Sequence, residues 1–167
     1  MLNNIRIVLI ETYYAGNIGA SARAMKTMGL THLYLVRPKS FPSKEATKLA
    51  TSATDILKQT IVVDTLEAAV ADCQCILGTS SRNRALKWPL IDARHGAIDA
   101  ITQSQAGKKV AILFGNESMG LTNDELKLCH RHVTIPTIAD YMALNVSQAV
   151  QVLSYECYMV WLTMKNK

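Results

Sequence analysis

Val110-Ala111-Ile112-Leu113-Phe114-Gly115-Asn116-Glu117-Ser118-Met119-Gly120-Leu121-Thr122-Asn123 decides how this chain is read. Its first half is the most apolar strand-like run in the sequence. The run stops at a glycine and gives way to a polar loop that holds a carboxylate between two glycines, and a helical pattern follows over 123–129. Working outward, the same alternation recurs. Aliphatic and β-branched runs at 5–11, 32–36, 61–64, 75–78, 110–115 and 132–135 predict strands. Helical patterns at 18–28, 45–57, 66–72, 92–103 and 123–129 lie between them, several entered through Asn, Ser, Thr or Asp. Such alternation predicts an α/β fold, a mostly parallel sheet flanked by helices. A last helix carries Val146, Ala149, Val150, Leu153, Cys157, Val160, Trp161 and Met164 along one face. Its other side keeps Val152, Tyr155, Tyr158, Met159 and Leu162, more apolar surface than a solvated side usually shows, so it either sits between layers or also lines a dimer interface.

With 167 residues, 49% of them hydrophobic, the chain is expected to form a single domain over 1–167 around one core. No apolar run approaches the ~20 residues of a membrane span, and the N-terminus opens into a strand pattern rather than a signal peptide, so a cytoplasmic protein is expected. Cysteines at 73, 75, 129 and 157 form no C-x-x-C pair, and no disulfide is predicted. Cys73 and Cys75 are expected to share one face of a strand. Together with Cys129-His130-Arg131-His132 they offer no four-ligand zinc spacing, so no metal is expected. A net charge of +5 favours an anionic partner. The positive residues gather at Arg37/Lys39, at Lys44/Lys48 and at Arg82, Arg84 and Lys87.

Four stretches carry polar residues at predicted strand ends, where open α/β sheets place ligands. In the segment from Ala15 to Arg23, two glycines permit close backbone approach and a helix start offers free N–H groups, so it reads as a phosphate site or as an ordinary turn. Gly78-Thr79-Ser80-Ser81-Arg82-Asn83-Arg84 combines hydroxyls with arginines that pair with phosphate, or is a solvated loop. Glu117 either accepts hydrogen bonds from neighbouring loops or is simply exposed. Asn145, in Tyr141-Met142-Ala143-Leu144-Asn145, is a good N-cap for the last helix. Neither G-x-G-x-x-G nor a P-loop is present, which speaks against an ordinary unknotted nucleotide-binding enzyme.

Taken in order, Gly16-Asn17-Ile18-Gly19 with Arg23, Gly78-Thr79-Ser80 with Arg82, Phe114-Gly115-Asn116-Glu117 with Gly120-Leu121-Thr122, and Leu144-Asn145-Val146 with Ala149-Val150-Gln151 resemble the motifs of the SPOUT methyltransferases. Residues 4–9, 22–30 and Tyr155-Glu156 are most similar to the TrmJ-type tRNA cytidine/uridine 2′-O-methyltransferases of that superfamily. The resemblance implies a SPOUT fold with a C-terminal trefoil knot, against the general rule that chains are not knotted. It implies S-adenosylmethionine, without a metal, held at Thr79, Ser80, Ser81, Gly115, Ile135, Met142, Ala143 and Leu144. Catalytic roles fall to Arg23, Glu117 and Asn145, and RNA contact to Asn17, Arg23, Arg82, Arg84 and Tyr141. The implied reaction is methylation of the ribose 2′-hydroxyl of a cytidine or uridine, nucleotide 32, in the tRNA anticodon loop, by a homodimer in which the Arg23 region of one subunit faces the cofactor pocket of the other.

The chain departs from the family at two points. Ala143 stands where the third motif usually has serine, which removes a hydroxyl, and the sequence ends at Lys167 without the helical extension the resemblance implies, so it reads as a catalytic-domain fragment or a naturally short relative. Both leave open a weakly active or non-catalytic protein that binds the cofactor or RNA, or action at another RNA position.

Overall fold

The computed structural model describes residues 2–80 and 90–167. Seven strands, β1 (Ile5–Ile10), β2 (His32–Val36), β3 (Ile61–Val63), β4 (Cys75–Thr79), β5 (Leu90–Asp92), β6 (Val110–Phe114) and β7 (Arg131–Thr134), form one sheet in the order β3-β2-β1-β6-β4-β7-β5. All pairings are parallel. The predicted sheet is therefore the observed one. It contains one strand more than expected, because β5 is a three-residue run directly after Pro89 and carries too little pattern to register.

The strands are apolar throughout because both faces of the sheet are covered. Ile5, Ile7, Leu9, Leu77, Ile112 and Phe114 face one layer, and Val8, Ile10, Ile76, Ala111 and Leu113 face the other. The first layer holds α1 (Ala15–Thr27), α5 (Ala93–Gln105) and α7 (Val146–Lys165), with α7 packed between the other two. The second holds α4 (Leu66–Val70) and α6 (Asn123–Lys127). No helix among the described residues is long and apolar enough to cross a membrane.

Two sequence expectations need correction. The helix predicted over 45–57 is two, α2 (Lys44–Ala50) and α3 (Thr54–Lys58), separated at Thr51, whose φ of 51° interrupts the helix. Ala46, Ala50, Ala53 and Ile56 stay buried on both sides of the break, so the apolar period runs through it and hides it. Cys73 precedes β4 rather than sharing a face with Cys75. Cys75 belongs to the layer of α1 and Cys73 to that of α4, and burial pushes the Cys73 thiol up to about 11. In addition to its apolar residues, β1 buries a charge. Arg6 is 6% exposed, donates to both oxygens of Asp72 (2.8 and 3.0 Å) and to the Ala69 carbonyl (2.8 Å), and lies over the Tyr34 ring. Paired this way, the guanidinium escapes the cost of an unmatched buried charge.

Candidate active site

The strand order reverses direction beside β1 and β6, and in open α/β sheets the crevice beyond the carboxyl ends at such a point is the usual ligand site. Next to it lies a cavity of about 670 Å³, within the range that accommodates nucleotide-sized ligands. Its walls come from the ends of β4 (Thr79, Ser80), the loop after β6 (Gly115 to Leu121), the chain after β7 (Ile135, Thr137) and the entry to α7 (Met142 to Val146, Ala149). Thr79 Oγ1 donates to the Leu113 carbonyl (2.8 Å) and Ser80 N–H to that of Val133 (2.9 Å), which ties the three strand ends together.

The loop after β6 keeps its shape through glycine and asparagine. A Cβ on Gly115 would lie 2.1 Å from the Gly120 carbonyl carbon, and Gly120 has φ +66°, so both positions need glycine. Asn116 Oδ1 accepts from Ser118 N–H (2.9 Å) while its amide donates to the Glu11 carbonyl (2.7 Å), which fastens the loop to the end of β1.

Glu117 is thereby presented to the chain leaving β1. Its carboxylate accepts from the Tyr13 N–H (2.7 Å), the Tyr14 N–H (2.8 Å) and Asn17 Nδ2 (2.9 Å). Burial pushes its pKa up, but these three donors outweigh burial and hold it below its ordinary value of 4.5. Asn17 Oδ1 accepts in turn from Asn145 Nδ2 (3.0 Å), and Asn145 Oδ1 caps α7 by accepting from Ser147 N–H (2.9 Å). Gln148 completes the capping box. One chain of hydrogen bonds thus runs from the α7 N-terminus through α1 to the β6 loop. Asn17, expected to touch RNA, is 5% exposed with both ends of its amide engaged. The sequence reading missed this bridge, because a residue spanning two distant motifs leaves no local pattern.

Of the residues expected at the cofactor, Thr79, Ser80, Gly115, Ile135, Met142, Ala143 and Leu144 all line this one cavity. Glu117 and Asn145 line it too, and Tyr141, 73% exposed, stands beside it in sequence. Ser81, Arg82 and Arg84 lie outside the described residues. Arg23 is exposed, makes no hydrogen bond or ion pair among the described residues, and is not part of the cavity wall of its own chain. Cys129, His130 and His132 are engaged in structure. Burial raises the Cys129 thiol to about 12, His130 Nδ1 accepts from the Ile76 N–H (2.9 Å), and His132 Nε2 lies 3.1 Å from the Leu126 carbonyl.

The sequence profile of the SpoU rRNA methylase family matches residues 4–155. The chain belongs to the SpoU family. Among curated SpoU-type relatives, the tRNA (cytidine/uridine-2′-O-)-methyltransferase TrmJ of Sodalis glossinidius is 51% identical over 97% of this chain and 63% of its own length. The tRNA (cytidine/uridine/adenosine-2′-O-)-methyltransferase TrmJ of Pseudomonas aeruginosa is 50% identical over 100% of this chain and 65% of its own length. The chain thus spans about two thirds of the length of these relatives. A probable methylase family protein from Haemophilus influenzae superposes with a TM-score of 0.95 at 50% identity, covering 100% of this chain and 70% of that one. At 18% identity the fold is shared with the SpoU methyltransferase AviRb of Streptomyces viridochromogenes, solved in complex with AdoMet (TM-score 0.74, 95% of this chain and 60% of that one).

Proposed function

We propose that this chain is the catalytic domain, over 1–167, of an S-adenosylmethionine-dependent enzyme that methylates the ribose 2′-hydroxyl of cytidine or uridine at nucleotide 32 of the tRNA anticodon loop. It acts as a homodimer in the cytoplasm and needs no metal. The observation that carries this reading is convergence: motifs far apart in the chain meet at one cavity and are tied together through Asn145, Asn17 and Glu117. The names of relatives near 50% identity support tRNA as substrate and the ribose oxygen as acceptor.

The cavity fits the cofactor in size and chemistry, with Ile135, Met142 and Leu144 as apolar wall and Thr79 and Ser80 as polar wall. The main-chain N–H groups of Met142 and Ala143 donate no hydrogen bond among the described residues and remain for the adenine edge. When bound, the cofactor supplies a methyl group already activated on a sulfonium. The protein's task is then to orient the ribose and to stabilise the negative charge that grows on its oxygen as the proton leaves. Arg23 performs it as a fixed cation rather than as a base, since a guanidinium does not deprotonate near neutral pH. Glu117 and Asn145, whose polar atoms are spent on protein partners, act as positioning residues that hold α1 against the cavity.

Arg23 lies six positions after Asn17 on α1, which turns it about 120° away around the helix and about 9 Å along it. Arg23 is thus exposed on another side of α1 from Asn17 and lines no part of its own chain's cavity, and this supports its service to the cavity of a second copy. For the C-terminal knot, the supporting feature is that β7 lies between β4 and β5 in the sheet although it follows both in sequence.

The test is to incubate the protein with S-adenosylmethionine and an unmodified tRNA transcript, digest, and identify the methylated nucleoside by mass spectrometry. A 2′-O-methylpyrimidine from nucleotide 32 is the expected product, with more of it from Ala143→Ser. A base-methylated nucleoside would overturn the reading.

A further inference from the structure

Tyr13 is 68% exposed, yet its backbone is tied to the cavity wall, because Glu117 takes its N–H at 2.7 Å. A largely exposed aromatic ring on a backbone tied to a residue of the cavity wall forgoes burial of an apolar face, which calls for a partner. Its one neighbour of note is a cation. The Lys39 ammonium lies 6.0 Å from the ring centroid, and the Lys39 main-chain N–H donates to the Thr12 carbonyl (3.0 Å), so the two residues are braced side by side. Beyond Lys39 the chain enters α2, where Lys44 and Lys48 line an open groove with Ser43 and Thr47. Lys39, Lys44 and Lys48 are exposed and have no carboxylate partner among the described residues. Glu45, the acid between them, is engaged by the Tyr14 hydroxyl at 2.9 Å. By contrast Arg37, also nearby, is already paired with Glu11.

From this arrangement we infer that Tyr13, Lys39, Lys44 and Lys48 form a shelf that guides a single RNA strand away from the cavity, with one base stacked on Tyr13 and the backbone phosphates over the lysines. Flat rings and regularly spaced negative charges occur together in nucleic acid, and an aromatic face beside unpaired ammonium groups matches both. The inference rests on the reading of the chain as an RNA methyltransferase and adds the path by which the strand leaves the site. The nucleotide on Tyr13 is a neighbour of the one methylated, so the shelf fixes register without touching the reacting atoms.

Fluorescence anisotropy with a labelled, unmodified tRNA transcript, run over a series of salt concentrations, tests the shelf. Thermal midpoints verify that each variant folds. Tyr13→Ala is expected to weaken binding about tenfold while Tyr13→Phe, which keeps the stacking face, stays near wild type. Combined Lys39→Ala, Lys44→Ala and Lys48→Ala should flatten the slope of log K against log salt by about 2. The shelf is overturned if the folded variants bind within about twofold of wild type with the same slope while the wild type methylates tRNA, an outcome that leaves the parent reading standing. A wild-type protein that neither binds nor methylates tRNA overturns both.

Discussion

Glu117 is an exposed carboxylate whose value lies in what it holds: two successive backbone amides and the Asn17 side chain, which otherwise would have no common partner. Its pKa is depressed below 4.5 in the folded chain, so the stability it contributes is fully present above that pH and is lost as pH falls through the lower folded value. Glu117→Gln keeps the shape but not the charge. Solvent screening limits the loss to about 1 kcal/mol, or about 2–4 °C in thermal midpoint at neutral pH. The variant should also lose part of the wild type's fall in midpoint below pH 4.5. A melting series from acid to neutral pH checks both, and superimposable curves would show that the carboxylate holds nothing. At this scale sequence reading found Glu117 and Asn145 as positions but not as partners. An asparagine at a helix start and a glutamate between glycines are local signals, whereas the Asn17 link between them exists only once α1, α7 and the β6 loop are packed.

Among the elements, α1 is the hinge of the arrangement, since it packs on α2 and α7 while its first turn carries Asn17. The approach of α2 depends on Gly19, where a Cβ would lie 2.0 Å from the Ala46 carbonyl oxygen. Gly19→Ala should therefore push the two helices apart and cost about 1–3 kcal/mol, read as a lower urea midpoint with an unchanged slope. Were the midpoint unchanged, the contact would be looser than the structure has it. The sequence showed α1, α5 and α7 because each has a long apolar face. It missed the break at Thr51, because the apolar period crosses it, and it missed β5, which is too short to have a period at all.

For the molecule as a whole, one side of α7 fills the space between α1 and α5 while Tyr155 and Met159 stay 46% and 42% exposed on the other. In the homodimer proposed above, a second copy seated there would cover that surplus and bring an Arg23 to each cavity. Sedimentation velocity of the wild type should give twice 18.4 kDa, and Tyr155→Glu combined with Met159→Glu should give 18.4 kDa together with loss of methyl transfer. A wild type that sediments as a monomer yet transfers methyl groups would remove the shared site. The parallel sheet was legible in the sequence from alternation alone, and the family from ordered motifs. The convergence of those motifs on one cavity follows from the crossing order of β6, β4 and β7, which no run of residues encodes locally.

The most direct test is transfer of tritiated methyl from S-adenosylmethionine to unmodified tRNA by the wild type and by Arg23→Ala, with cofactor affinity measured alongside by calorimetry. The prediction is a loss of at least about 100-fold in transfer at unchanged cofactor affinity. Equal transfer by both proteins, or none by a wild type that binds the cofactor, would contradict it.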